Sequence, residues 1–163
     1  MAEGVAEVTL KDYSHRLDEH GALKPNGWFW VCIAVQLEPI FLIAVEFFLA
    51  QSQLNILVRV VGLKDGLIPY MLVSLPALLM VIAYWTRRPE AKIYFRQLWQ
   101  WGRWLLALGF IGHLGLDIAR LAHYGLRLDS LSVFFIIVKA WLLLILLVKP
   151  YLKALFASFP ESD

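Results

Sequence analysis

The sequence predicts an all-α integral membrane protein: a four-helix bundle with both termini cytoplasmic (N-in/C-in), with two stretches patterned as short interfacial amphipathic helices. Three observations carry this. Of 163 residues, 60% are hydrophobic and 17% charged, with a mean hydropathy of +0.66, whereas soluble domains hold about 45–50% apolar and about 25% charged residues. The apolar residues fall into four runs, each near the roughly 20 residues that span a bilayer. The basic residues sit unevenly around those runs. A disordered chain, a disulfide scaffold and a nucleic-acid-binding domain are excluded at this stage, and the net charge of +2 becomes a question of where the charges lie.

Residues 1–27 form a polar cytoplasmic tail of mixed charge, including Lys11, Asp12, Arg16, Asp18, Glu19 and Lys24. A signal peptide would need a basic start followed at once by an apolar run, so the first span is expected to stay as a signal-anchor. The membrane bundle occupies 28–148, with spans at 28–49, 67–85, 104–124 and 131–148. Lipid offers no partner for backbone groups, so each span must be helical. Pro39 and Pro76 lie deep in their spans, where each removes an N–H donor and frees the carbonyl of Val35 or Leu72. Cys32 is the single cysteine, which excludes a paired-thiol chemistry. A short cytoplasmic tail follows at 149–163.

Two connections carry pattern of their own. In 93–105, Tyr94, Leu98, Trp101 and Leu105 recur at helical spacing opposite Arg96, Gln100 and Arg103. This fits an interfacial helix or an extension of the third span. Between the first two spans, Leu54, Leu57, Val58 and Val61 suggest a second short interfacial helix.

Topology follows from lysine and arginine. Of 15 such residues, ten (Lys11, Arg16, Lys24, Arg87, Arg88, Lys92, Arg96, Arg103, Lys149 and Lys153) flank one side of an even-numbered topology. Arg59, Lys64 and Arg127 flank the other, and Arg120 and Lys139 lie within spans. The positive-inside rule then places both ends in the cytoplasm. Trp28, Trp30, Trp85, Trp99, Trp101 and Trp104 lie at the same cytoplasmic span ends and read as interfacial anchors. Trp141 is the exception, near mid-span.

Ionisable groups inside the spans are the candidate site: Glu38 and Glu46 in the first, His113, Asp117 and Arg120 in the third, and Lys139 in the fourth. A lone charge at mid-membrane costs about 2.5–3.5 kcal/mol on insertion scales, so these groups should face inward and pair. At a rise of about 1.5 Å per residue, Glu38, His113 and Lys139 share a layer about 13–15 Å from the cytoplasmic ends. Arg120 and Glu46 form a second layer at about 24–27 Å. The expected polar seam pairs Glu38 with Lys139, and Asp117 and Glu46 with Arg120, with His113 linking the layers. The seam fits a structural clamp, a proton path or polar ligand site, or contacts with a partner's charges. Gly109, Gly112 and Gly115 admit close backbone approach, within the bundle or at a dimer face.

No catalytic motif, Gly-rich phosphate loop or HExxH is present. His113 and His123 lie on one helix about 80° apart, a poor fit to haem ligation, and no cofactor or metal is expected.

The first span is preceded by Asp18-Glu19-His20-Gly21-Ala22-Leu23-Lys24-Pro25 and then Trp28, and the chain closes with Phe156-Ala157-Ser158-Phe159-Pro160. The HG-x-LK-P lead-in, four spans of this length and a Phe-Pro cytoplasmic end resemble the YfeZ-like family of small uncharacterised bacterial inner-membrane proteins. The resemblance implies the bacterial inner membrane, and brings no activity or catalytic residues with it. The leading functional expectation is a non-enzymatic accessory or interaction protein, with membrane lipids and another membrane protein or itself as partners, and no nucleic acid. The alternatives are a small oligomeric transporter or proton-conducting protein using the seam, and, last, an intramembrane lipid-modifying enzyme using His113 and Asp117.

Overall fold

Asn26 starts the first helix. Its side-chain oxygen accepts from the Phe29 N–H at 3.1 Å, which satisfies one of the donors a helix N-terminus leaves free. The computed structural model describes residues 13–41, 44, 67–123 and 130–160. Within these, helix α1 is Gly27–Gln36, α2 Leu67–Trp85, α3 Ile93–His123, α4 Ser130–Val148 and α5 Pro150–Ala157. A single 3-10 turn, Ser14–Arg16, precedes them. The described chain is all-α apart from one isolated bridge between Leu17 and Leu23.

Each boundary has a local cause. Pro39 cannot donate, and α1 stops just before it, with the Leu37 N–H closing on the Ile33 carbonyl at 2.9 Å. One further helical turn follows, with Ile40 and Phe41 both bonding to the Leu37 carbonyl at 3.0 Å. The break therefore falls where the proline predicts it. Pro76 is different: α2 continues through it. Four residues after Tyr70, Ser74 returns its hydroxyl to the Tyr70 carbonyl at 2.8 Å. Pro150 opens α5 at its first turn, where a missing N–H costs nothing, and α5 leaves the line of α4 by 63°.

Helix α3 has 31 residues, about 46 Å at the usual rise, against a hydrocarbon core of about 30 Å. It runs unbroken from Ile93, so 93–105 is the extension of the third span rather than a separate helix. The buried face also differs from the expected one. Trp99, Leu106, Phe110 and His113 turn inward, while Tyr94 and Trp101 are 68% and 65% exposed. Helix α3 is the hub, packing against α1, α2, α4 and α5, and α1 also meets α2 and α4. The core comprises Phe29, Ala77, Met80, Trp99, Leu106, Phe110, Leu142 and Leu146, among others.

At least two helical stretches, Ile68–Trp85 and Ile93–Ala122, are long and apolar enough to cross a membrane. Large apolar side chains such as Ile68, Leu72, Leu108, Ile137 and Leu144 point outward, which is costly in water and favourable in lipid. The chain is thus a multi-pass membrane protein by the character of its helices. The expected interfacial helix at Leu54, Leu57, Val58 and Val61 lies outside the described residues. So do most of 42–49, and the basic residues Arg59, Lys64 and Arg127.

The glycines of α3 separate cleanly. A Cβ at Gly109 would strike the Gln36 side-chain oxygen and lie 3.2 Å from the Val73 carbonyl, and one at Gly112 would lie 2.7 Å from Val73 Cγ1. Among the described residues, nothing lies within 4 Å of a Cβ at Gly115. Gly109 and Gly112 thus serve close approach of α1 and α2 within the chain. Gly109→Ala should destabilise by about 1–3 kcal/mol through overpacking, whereas Gly115→Ala should be neutral or slightly stabilising. Thermal unfolding of the two variants in detergent checks the contrast.

Candidate functional site

The candidate site is a polar network buried among four helical segments. Lys139 of α4 holds Asp117 of α3 at 2.9 Å and lies 3.8 Å from Glu38, in the turn after α1. Asp117 in turn accepts from the Tyr70 hydroxyl of α2 at 2.6 Å. One ammonium, two carboxylates and a phenol therefore tie α1, α2, α3 and α4 together. Lys139 is 5% exposed, so its charge depends on these carboxylates for the solvation that water would otherwise give.

A neutral layer adjoins the charged one. His113 lies one helical turn before Asp117, and its Nε2 is 3.3 Å from the Ser74 hydroxyl. The Gln36 amide donates to the Leu106 carbonyl at 2.7 Å. Gln36 and His113 are 0% and 1% exposed, and their remaining polar atoms, Gln36 Oε1 and His113 Nδ1, have no hydrogen-bond partner among the described residues. With Arg87 Nε they are the buried side-chain polar atoms without a partner among the described residues, where buried polar groups are normally paired.

Of the expected seam, Glu38, His113, Asp117 and Lys139 come together. The order of preference is new: Asp117 is the close partner of Lys139, and Glu38 the more distant one. Arg120 stands within electrostatic reach of the Tyr70 hydroxyl. Glu46 lies outside the described residues. The six tryptophans divide. Trp30, Trp85, Trp101 and Trp104 are exposed. Trp28 is half-buried, edge-on to Trp141 at 5.4 Å and beneath the Lys149 ammonium at 4.3 Å. Trp99 is fully buried and donates to the Leu155 carbonyl at 3.0 Å. Its ring belongs to the core and not to the outer belt that its position near the end of a span suggests.

A second cluster, which no residue pattern in the sequence marks, is centred on Arg87, in the connection from α2 to α3. Its guanidinium donates to the Leu23 carbonyl at 2.7 Å and to the Ser158 carbonyl at 3.1 Å, and lies 4.6 Å above the Trp99 ring. Around it, the Leu23 N–H reaches Ser158 Oγ at 3.3 Å, and the Tyr151 hydroxyl donates to the Lys24 carbonyl at 2.6 Å. The lead-in before α1 is itself a tight turn. Asp18 Oδ1 accepts from the N–H groups of His20 and Ala22, and Gly21 adopts a φ of 71°, a conformation that glycine takes without a Cβ clash. The two sequence motifs at opposite ends of the chain thus meet across one arginine. Burial pushes the Arg87 pKa below its ordinary value, opposed by nearby Asp18. The only sequence hint was its place beside a span end, which Arg88 shares.

Among the described residues no group of three or more His, Cys, Asp or Glu side chains converges as a metal site. Residues 13–158 match the model of a family described as a protein of unknown function (DUF2919). Neither a curated protein nor a solved structure matches the chain.

Proposed function

The chain belongs to the DUF2919 family, and we propose that it acts as a small non-enzymatic accessory subunit of the bacterial inner membrane, crossing it four times as a helical bundle with both ends in the cytoplasm. The observation that carries this reading is the way its interior charges are used. Asp117 accepts from both Tyr70 and Lys139, and the Lys139 ammonium pairs with both Asp117 and Glu38. Groups bound to one another across helices clamp those helices. The ten-to-three distribution of basic residues supports the topology, and the YfeZ-like lead-in and Phe-Pro end support the bacterial setting. Large exposed aromatics, Trp85 at 77% and Trp101 at 65%, suit contact with lipid or with a partner helix.

One observation favours a second reading, proton conduction. The orphaned His113 Nδ1 sits beside a line of titratable groups running through Tyr70, Asp117, Lys139 and Glu38. A single pair of measurements separates the two. N-terminally tagged protein purified in mild detergent should retain a defined membrane protein or a second copy, and that association should survive purification through the partner. The same protein in liposomes under an imposed pH gradient should pass protons no faster than empty vesicles do. A bare monomer whose flux disappears in His113→Asn, at unchanged abundance, would overturn the accessory reading in favour of conduction.

A further inference from the structure

Helices α3 and α5 enclose a groove of about 340 Å³ lined by Gln100, Arg103, Trp104, Lys153, Phe156 and Ala157. Among the described residues, neither Arg103 nor Lys153 has a carboxylate partner. Arg103 instead lies 4.9 Å over the Trp104 ring, which leaves the edge of its guanidinium able to donate. Two cations and an amide, together with an indole and a phenyl, make the lining amphipathic. An anion recognised here would meet a forked donor from Arg103 and a point charge from Lys153, the combination suited to a phosphate oxygen pair.

The surface beyond the groove tells a soluble anion from a lipid one. Trp104, Leu108, Ile111 and Ile118 are 55%, 62%, 57% and 57% exposed, and their spacings of four, three and seven residues place them on one stripe of α3. That stripe starts in the groove and runs away from the α5 end towards the C-terminal end of α3. It is a track for an acyl chain, continuous with the charged pocket.

We infer that the α3–α5 groove binds one anionic phospholipid, its phosphodiester between Arg103 and Lys153 and an acyl chain along Trp104, Leu108 and Ile111. The inference rests on the membrane reading above, since the stripe must face lipid. Detergent-purified full-length protein, titrated separately with phosphatidylglycerol, phosphatidylcholine and inorganic phosphate by native mass spectrometry, tests it.

One phosphatidylglycerol should bind per chain, at least about tenfold more tightly than phosphatidylcholine, whose choline cation would face two like charges. Arg103→Gln or Lys153→Gln should each weaken binding about fivefold and the pair about twenty-fivefold, the scale of one and two interfacial cations. Lys92→Gln, away from the groove, should bind as the parent does. Leu108→Ser should weaken the lipid without affecting phosphate. Equal binding of the two lipids, or a double variant that binds phosphatidylglycerol like the parent, would overturn the site. Displacement of the lipid by equimolar phosphate would overturn the lipid assignment. Failure of the membrane reading is seen separately, as release of the protein from membranes by alkaline carbonate.

Discussion

Replacing Lys139 with methionine should cost about 3–5 kcal/mol of stability, the range for removing one partner from a buried ion pair. The effect is large because the ammonium is 5% exposed and compensates two carboxylates, Asp117 at 2.9 Å and Glu38 at 3.8 Å. Without it both must protonate or draw water into the helix contacts. Most of the loss belongs to the abandoned acids and little to a missing attraction. Asp117→Asn should therefore restore at least half of the loss when combined with Lys139→Met, because the amide oxygen still accepts from the Tyr70 hydroxyl and carries no charge. Glu38→Gln should restore less, in keeping with its greater distance. Thermal or denaturant unfolding of the single and double variants in one detergent measures this. A Lys139→Met protein as stable as the parent would mean that the network does not clamp the helices.

Arg87→Met should cost about 2–4 kcal/mol and loosen both ends of the chain together. Two charge-assisted hydrogen bonds to carbonyls of Leu23 and Ser158 are lost, each of the kind that contributes about 1.5–3 kcal/mol. The stacking on Trp99 is lost as well. Arg87→Lys should recover less than half, since an ammonium on a shorter stem cannot fork between two carbonyls and cover an indole at once. Arg88→Met, at the neighbouring exposed position, should change stability by no more than about 0.5 kcal/mol. Limited proteolysis provides the specific readout. In the Arg87→Met protein, cleavage before α1 and cleavage after α5 should rise together, while Arg88→Met should leave both unchanged.

What the sequence disclosed follows its periodicities, and what it hid depends on rotation and on the backbone. Lys139 stood out as a cation in an apolar run, and rise per residue placed Glu38 at its depth. Rise ignores which way a helix face points, however, and Asp117 lies only about 6 Å beyond His113 along α3, within reach of a lysine side chain. The close pair therefore went to a residue assigned to the next layer. Pro39 revealed the break in α1 because a missing donor has a fixed consequence.

Trp99 and Arg87 could not be found in the same way. Trp99 differs from Trp101 by two positions, which on a helix is more than half a turn, and the packing of α1, α5 and Arg87 decides which ring is covered. Arg87 binds carbonyls 64 and 71 residues away, and a carbonyl leaves no mark in residue type. In the sequence the lead-in and the Phe-Pro end are separate motifs. Their contact through Arg87 required the fold.

The 63° turn at Lys149 and Pro150 brings Ser158 back to the segment that precedes α1. That contact sets an order on biosynthesis. The lead-in lacks its final partners until Ser158, 135 positions after Leu23, has been translated. Helices can insert one after another, but closure of this end waits for the last turn of α5 and occurs after insertion. Until Ser158 is in place, the Leu23 N–H and the Arg87 guanidinium each lack a hydrogen-bond partner that they have in the folded chain.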